Sequence, residues 1–120
     1  MIFVTTIEVT RQTKVKDMLR QQVKTFASQN QMYLKEVYER ALRTLIHYRR
    51  KLEEQGKSLV YLVSPQDGTT INITLSVGMA RKVKAISSKD KVSDRRILYT
   101  ALILYAKKHQ IDEIGFEETA

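Results

Sequence analysis

The chain contains no cysteine, only four glycines and only two histidines among its 120 residues. Without cysteine there is neither a disulfide framework nor a thiolate metal site, and nothing requires an oxidising compartment. A cytoplasmic setting is the expectation. His47 and His109 stand apart, without metal-ligand spacing. So few glycines form no phosphate-cradling loop, and no nucleophile motif is present. The sequence therefore reads as a protein that is not an enzyme and takes no cofactor and no metal. The longest apolar run, Ile97–Ala106, falls short of the roughly 20 residues that span a bilayer. The N-terminus also lacks a basic region ahead of an apolar stretch. A soluble chain without signal peptide or membrane span is expected.

What is present is a core and a large positive charge. A chain of 120 residues, 42% of them hydrophobic, suits one ordinary domain. The formal net charge is +8, and the acids are unevenly placed. Four of the 13, Asp112, Glu113, Glu117 and Glu118, fall in residues 111–120, where there is no Lys or Arg. That leaves 21 bases against 9 acids on Met1–Gln110, a balance of +12. A body this basic points to a polyanionic partner, because each neutralised phosphate releases condensed counterions.

The strongest pattern is a repeat: TTIEVT at Thr5–Thr10 returns as TTINIT at Thr69–Thr74. Ile7 and Val9 alternate with Thr6, Glu8 and Thr10, as Ile71, Ile73 and Leu75 alternate with Thr70, Asn72 and Thr74. This period-2, β-branched pattern predicts a strand in each copy. Helical spacing follows each strand. In the first copy Val15, Leu19, Val23 and Phe26 predict a helix over about 14–29, with Thr13 as N-cap. Leu34, Val37, Tyr38, Ala41, Leu42, Leu45 and Ile46 predict a second to about Glu54, closed by Gly56. In the second copy Ser76 caps a helix carrying Met79, Val83 and Ile86, and Ser93 caps one carrying Ile97 to Tyr105. Val15 then aligns with Met79 and Leu19 with Val83. After a helix or turn four residues longer in the first copy, Val37 aligns with Ile97 and Ala41-Leu42 with Ala101-Leu102. Pro65, Asp67 and Gly68 mark a turn before the second copy, and Leu59–Val63 is either a short strand or a packed connector. The resulting organisation is a first unit over 1–56, a connector over 57–68, a second unit over 69–110 and an acidic tail over 111–120. One strand cannot complete a sheet. Two units that pair their strands antiparallel above four helices bury both apolar faces, with the last helix at the centre of the pile.

Strand, helix, Ser-containing turn and helix, written twice, resembles the ribbon-helix-helix DNA-binding family in its single-chain tandem form, as in accessory factors of conjugation and transfer-DNA processing and in transcriptional regulators. KVSDRRILYTALILY and YERALRTLIHYRR are similar to that family's turn and second helix, whereas Lys91-Val92-Ser93 and Gln31-Met32-Tyr33 depart from its usual Gly before Ser or Thr. The resemblance implies an α+β, mostly α fold: an intramolecular pseudo-dimer with a two-stranded antiparallel ribbon over four helices. It also implies a monomer with an internal pseudo-two-fold that binds double-stranded DNA, with room for cooperative association on DNA and for a protein partner at the acidic tail. The ribbon's outer residues, Thr6, Glu8, Thr10, Thr70, Asn72 and Thr74, would read bases in the major groove, with Glu8 balanced by an Arg such as Arg11. Tyr33, Lys35, Ser93, Asp94, Arg95 and Arg96, at the second helices' N-termini, would hold phosphates, as would Arg11 beside the first strand. Lys82, Lys84, Lys89 and Lys91 add to the basic surface. The alternative reading is a helical protein-interaction or antitoxin-like adaptor, marked by exposed apolar residues at Tyr61, Leu62, Ile114 or Phe116.

Overall fold

The computed structural model describes residues 8–111. Two β-branched stretches form the only sheet among them: β1, Glu8–Val15, and β2, Thr69–Ser76, paired antiparallel. The register sets Glu8 opposite Ser76, Thr10 opposite Thr74, Gln12 opposite Asn72 and Val15 opposite Thr69. Alternation then divides the ribbon. Thr13, Val15, Ile71, Ile73 and Leu75 are buried, whereas Glu8, Thr10, Gln12, Thr70 and Asn72 are exposed.

The first strand lies further along the chain than its local pattern indicates. Pairing with β2 carries it through Val15, so Thr13 caps no helix. It is fully buried in the ribbon, and its hydroxyl donates to the Arg95 carbonyl at 2.9 Å. The following helix, α1, spans Asp17–Gln29, with Lys16 at the N-cap position and no side-chain cap. Cross-strand hydrogen bonds and the burial of Val15 outweigh the local helical spacing at this boundary. Thr6 and the start of TTIEVT lie outside the described residues.

The other helices are α2, Leu34–Glu54, α3, Val77–Asp90, and α4, Asp94–Lys108. Ser76 Oγ accepts from the Met79 amide at 3.2 Å and Ser93 Oγ from the Arg96 amide at 3.3 Å, so both expected serine caps form. The openings of α1 and α3, at Asp17 and Val77, are 60 residues apart, as are those of α2 and α4, at Leu34 and Asp94. The turns keep the same spacing. Gln31 and Lys91 both have φ of 54°. Met32 N–H donates to Ala27 O at 2.8 Å, and Val92 N–H donates to Ser87 O at 3.1 Å. One offset therefore serves every helix, and the four-residue difference between copies disappears. The counterpart of Thr70-Ile71-Asn72-Ile73-Thr74 is Thr10-Arg11-Gln12-Thr13-Lys14, not TTIEVT.

Packing interlocks the halves. Helix α2 lies against α4, while α4 runs beneath β1 and α2 beneath β2, so each half covers the other's strand. Val37, Leu42, Leu45, Ile73, Leu75, Ile97 and Leu98 meet in this core at 1% exposure or less. Each such side chain contributes about 1.5–3 kcal/mol by leaving water. Helix α4, apolar on most sides, buries Ile97, Leu98, Thr100, Ala101, Leu102, Tyr105 and Ala106, as its central place requires.

Residues 57–68 form a packed connector, with no strand at Leu59–Val63. Thr100 Oγ1 accepts from the Leu62 amide at 2.9 Å, and Arg96 Nη2 donates to the Tyr61 carbonyl at 2.7 Å. Gly68 closes the turn because an added Cβ would stand 2.6 Å from the Val15 carbonyl oxygen. Asp90, at the end of α3, accepts from Arg49 Nε at 2.8 Å and Nη2 at 2.7 Å and from the Tyr61 hydroxyl at 2.6 Å. The Arg49 bonds, opposed by burial and helped by Tyr61, hold the Asp90 carboxyl down to about 2.

Two outcomes follow from these contacts. An L-residue in the left-handed region costs about 1–2 kcal/mol, so Lys91→Gly should raise stability by about 1 kcal/mol in urea unfolding; a loss would mean that the Lys91 side chain makes a contact worth more than the strain. The Asp90 carboxyl titrates lower in the folded chain than in the unfolded one, near 3.9. Its contribution is therefore present above about pH 4 and lost as pH falls toward 2. Asp90→Asn should cost about 2 kcal/mol at pH 7, and the gap to wild type should narrow at pH 3; a gap that does not change with pH would refute the ionic account.

Candidate nucleic-acid interface

Strand alternation turns one row of each strand to solvent. The β1 row is Glu8, Thr10, Gln12 and Lys14, and the β2 row is Thr70, Asn72 and Thr74, with no apolar side chain among them. Across the ribbon Thr10 faces Thr74, Gln12 faces Asn72 and Lys14 faces Thr70. Gln12 Nε2 donates to Asn72 Oδ1 at 3.0 Å. That bond orients both amides while leaving each with further hydrogen-bonding capacity, since a primary amide carries two donors and an acceptor.

The amino ends of α2 and α4 are tied to β1 by ion pairs. Lys35, in the first turn of α2, pairs with Glu8. Asp94, which opens α4, lies 3.4 Å from Arg11 Nε. Glu8 was expected to lean on Arg11, but the two belong to opposite rows of the strand: Glu8 points out and Arg11 points toward the helices. Each cation therefore finds a different acid. Tyr33 stands at the α2 N-cap position, 86% exposed and without a side-chain cap bond. At α4 Ser93 is exposed and serves as cap, and Arg95 is exposed while its carbonyl receives Thr13. Both ends thus present unpaired helical amides, where the dipole favours an anion.

Not every expected phosphate contact faces outward. Arg96 is turned to the connector, donating through Nη2 to the Tyr61 carbonyl and through Nε to the Leu62 carbonyl at 3.4 Å. Lys82, Lys84 and Lys91 are exposed, and Lys89 lies 3.4 Å from Glu53. Gln12 and Lys14 join the outer row unforeseen. Their signal was the constant spacing of Val37 to Ile97 and Ala41 to Ala101, which, extended upstream without a gap, sets Gln12 against Asn72 and Lys14 against Thr74.

The rest of the surface carries other features. A cavity of about 480 Å³ is lined by Arg49, Glu53, Lys57, Tyr61, Lys89 and Asp90, and a shallow one of about 530 Å³ by Thr44, His47, Tyr48, Lys51, Leu104 and Lys107, together with Lys108. His109 packs at a tilt against Tyr105, with ring centroids 4.3 Å apart, and against Phe26 at 5.5 Å, and burial pushes its pKa below the ordinary imidazole value. Among the described residues no three His, Cys, Asp or Glu side chains gather as a metal site, and no helix is long and apolar enough to cross a membrane. Comparison with models of known families, with curated proteins and with solved structures finds no match to this chain.

Proposed function

We propose that this is a sequence-specific binding protein for double-stranded DNA that lays its β-ribbon in the major groove. Within that class it is a tandem ribbon-helix-helix protein, an internal pseudo-dimer acting as a transcriptional regulator or as an accessory factor of a DNA-transfer complex in the cytoplasm. The observation that carries the reading is the ribbon's outer face: polar at every position, centred on a bonded Gln12–Asn72 pair and flanked by two helix N-termini. A major groove about 12 Å wide admits a two-stranded ribbon. Primary amides pair with adenine, Thr meets a base edge or the thymine methyl, and Lys donates to guanine. Tyr33, Lys35, Ser93 and Arg95 then meet the flanking phosphates, which position the ribbon without reading sequence. Arg11 and Asp94 hold the α4 end in place as a pair. The charge of +8 supplies the long-range attraction.

A second reading, a protein-interaction adaptor, draws on Val60, Leu62 and Val63 in the connector, which are 78%, 40% and 68% exposed. Tyr61 is half-buried through its bond to Asp90, and Ile114 and Phe116 lie outside the described residues.

Selection from random duplexes, followed by salt titration of the winners, tests the proposal. The expected result is one enriched motif and a steep loss of affinity with salt, with a log–log slope of about −4 for some four or five phosphates. A pool without enrichment, together with a shallow slope, would remove the DNA-binding reading and favour the adaptor. Within the motif, Asn72→Ala should cost about 1–3 kcal/mol at one base position, whereas Arg95→Ala should weaken specific and random DNA alike. Equal losses on both DNAs for both variants would take the ribbon out of the reading role.

A further inference from the structure

Where the outer rows of the two strands correspond they differ sharply at one position, and we infer that the duplex this ribbon reads is an imperfect palindrome whose halves differ where Lys14 faces one of them. The inference rests on the DNA-reading function proposed above. The constant 60-residue spacing gives three of the four outer residues of β1 a counterpart in β2, Thr10 with Thr70, Gln12 with Asn72 and Lys14 with Thr74, whereas Glu8 falls against Gly68, ahead of β2, and is engaged by Lys35. The register places Gln12 directly opposite its own counterpart, Asn72. That pair therefore marks the centre about which the halves are related. Thr10 and Thr74 lie to one side of it, and Lys14 and Thr70 to the other.

Chemistry at the three counterpart pairs sets how far the DNA halves can agree. Thr10 and Thr70 are identical. Gln12 and Asn72 carry the same amide on stems one methylene apart. Lys14 and Thr74 differ in charge and in acceptor capacity: an ammonium has three donors and no acceptor, while a threonine hydroxyl donates and accepts beside a methyl group. The ammonium suits the paired acceptors of guanine, O6 and N7, and threonine suits thymine or a mixed edge. Lys14 Nζ donates to the Gln66 carbonyl at 3.1 Å, which occupies one of its three hydrogens. Its charge has no ion-pair partner among the described residues, since the nearby Asp67 carboxylate is taken by Lys16 at 3.1 Å. A homodimer would repeat the lysine in both halves and require a symmetric site. One chain carrying both strands presents it once.

Parallel selections with wild type, Lys14→Thr, Lys14→Arg and Thr74→Lys decide the matter, with melting curves to confirm that each variant is folded. Wild type should enrich inverted repeats at the inner positions and a guanine in one outer half only. Lys14→Thr should lose that guanine, give matching outer halves and bind the wild-type site roughly ten- to a hundredfold more weakly. Lys14→Arg should keep the guanine, and Thr74→Lys should add a second in the other half. If Lys14→Thr fails to fold, Thr74→Lys carries the test, because Thr74 is remote from the Gln66 turn. A wild-type motif symmetric throughout, or an asymmetry that survives Lys14→Thr, overturns the inference while leaving ribbon reading intact. Failure of every protein to enrich any motif overturns both.

Discussion

The antiparallel pairing of Glu8–Val15 with Thr69–Ser76 is the contact on which the remaining structure depends. Because α4 covers β1 and α2 covers β2, separating the strands would uncover Val15, Ile73 and Leu75 together with the helix faces beneath them. Neither half owns a closed core, so the ribbon and the helical layer form together or not at all. The same pairing turns the polar row outward. The proposed recognition would use the face opposite the core, and whatever sets the register also sets the order of the side chains turned to solvent.

Several contacts hold that register. A slip of one residue would turn over one strand against the other, bringing either Gln12 or Asn72 under the sheet. Thr13 opposes such a slip by reaching the Arg95 carbonyl, and Gly68 opposes it by packing closely on Val15. Carrying both strands on one chain makes their meeting intramolecular. The inner row of β1 holds Arg11 and Thr13 where β2 holds Ile71 and Ile73. The connector, fastened through Tyr61, Leu62 and Arg96, then serves as part of the packing.

Most of the helical frame was legible in the sequence, because amphipathic spacing and capping residues are local signals. The bounds of α2, the serine caps at Ser76 and Ser93 and the central place of α4 all emerged from periodicity. The first strand's alignment with the second copy was displaced by four residues for an identifiable reason. TTIEVT matches TTINIT better than TRQTKV matches TINITL, since Arg11 and Thr13 break the apolar alternation. Their inward placement is made possible by Asp94 and by the Arg95 carbonyl, partners more than 80 residues away in the chain that no local pattern reveals. The same displacement hid Gln12 and Lys14 from the outer row, although Thr10, Thr70, Asn72 and Thr74 were read correctly as solvent-facing. Arg96 shows the converse limit: beside Arg95 it looks like a surface cation, and only the path of the connector gives its guanidinium two carbonyls to hold.

The claim that the ribbon's outer face is the contact surface is tested most directly by following backbone and side-chain amide resonances by NMR during titration with a selected duplex. The account predicts that the side-chain NH₂ signals of Gln12 and Asn72 and the backbone signals of Thr10, Thr70 and Thr74 shift together and saturate at one equivalent. Shifts confined to the surface around Tyr48, Leu104 and Lys107, with the two ribbon amides unmoved, would contradict it.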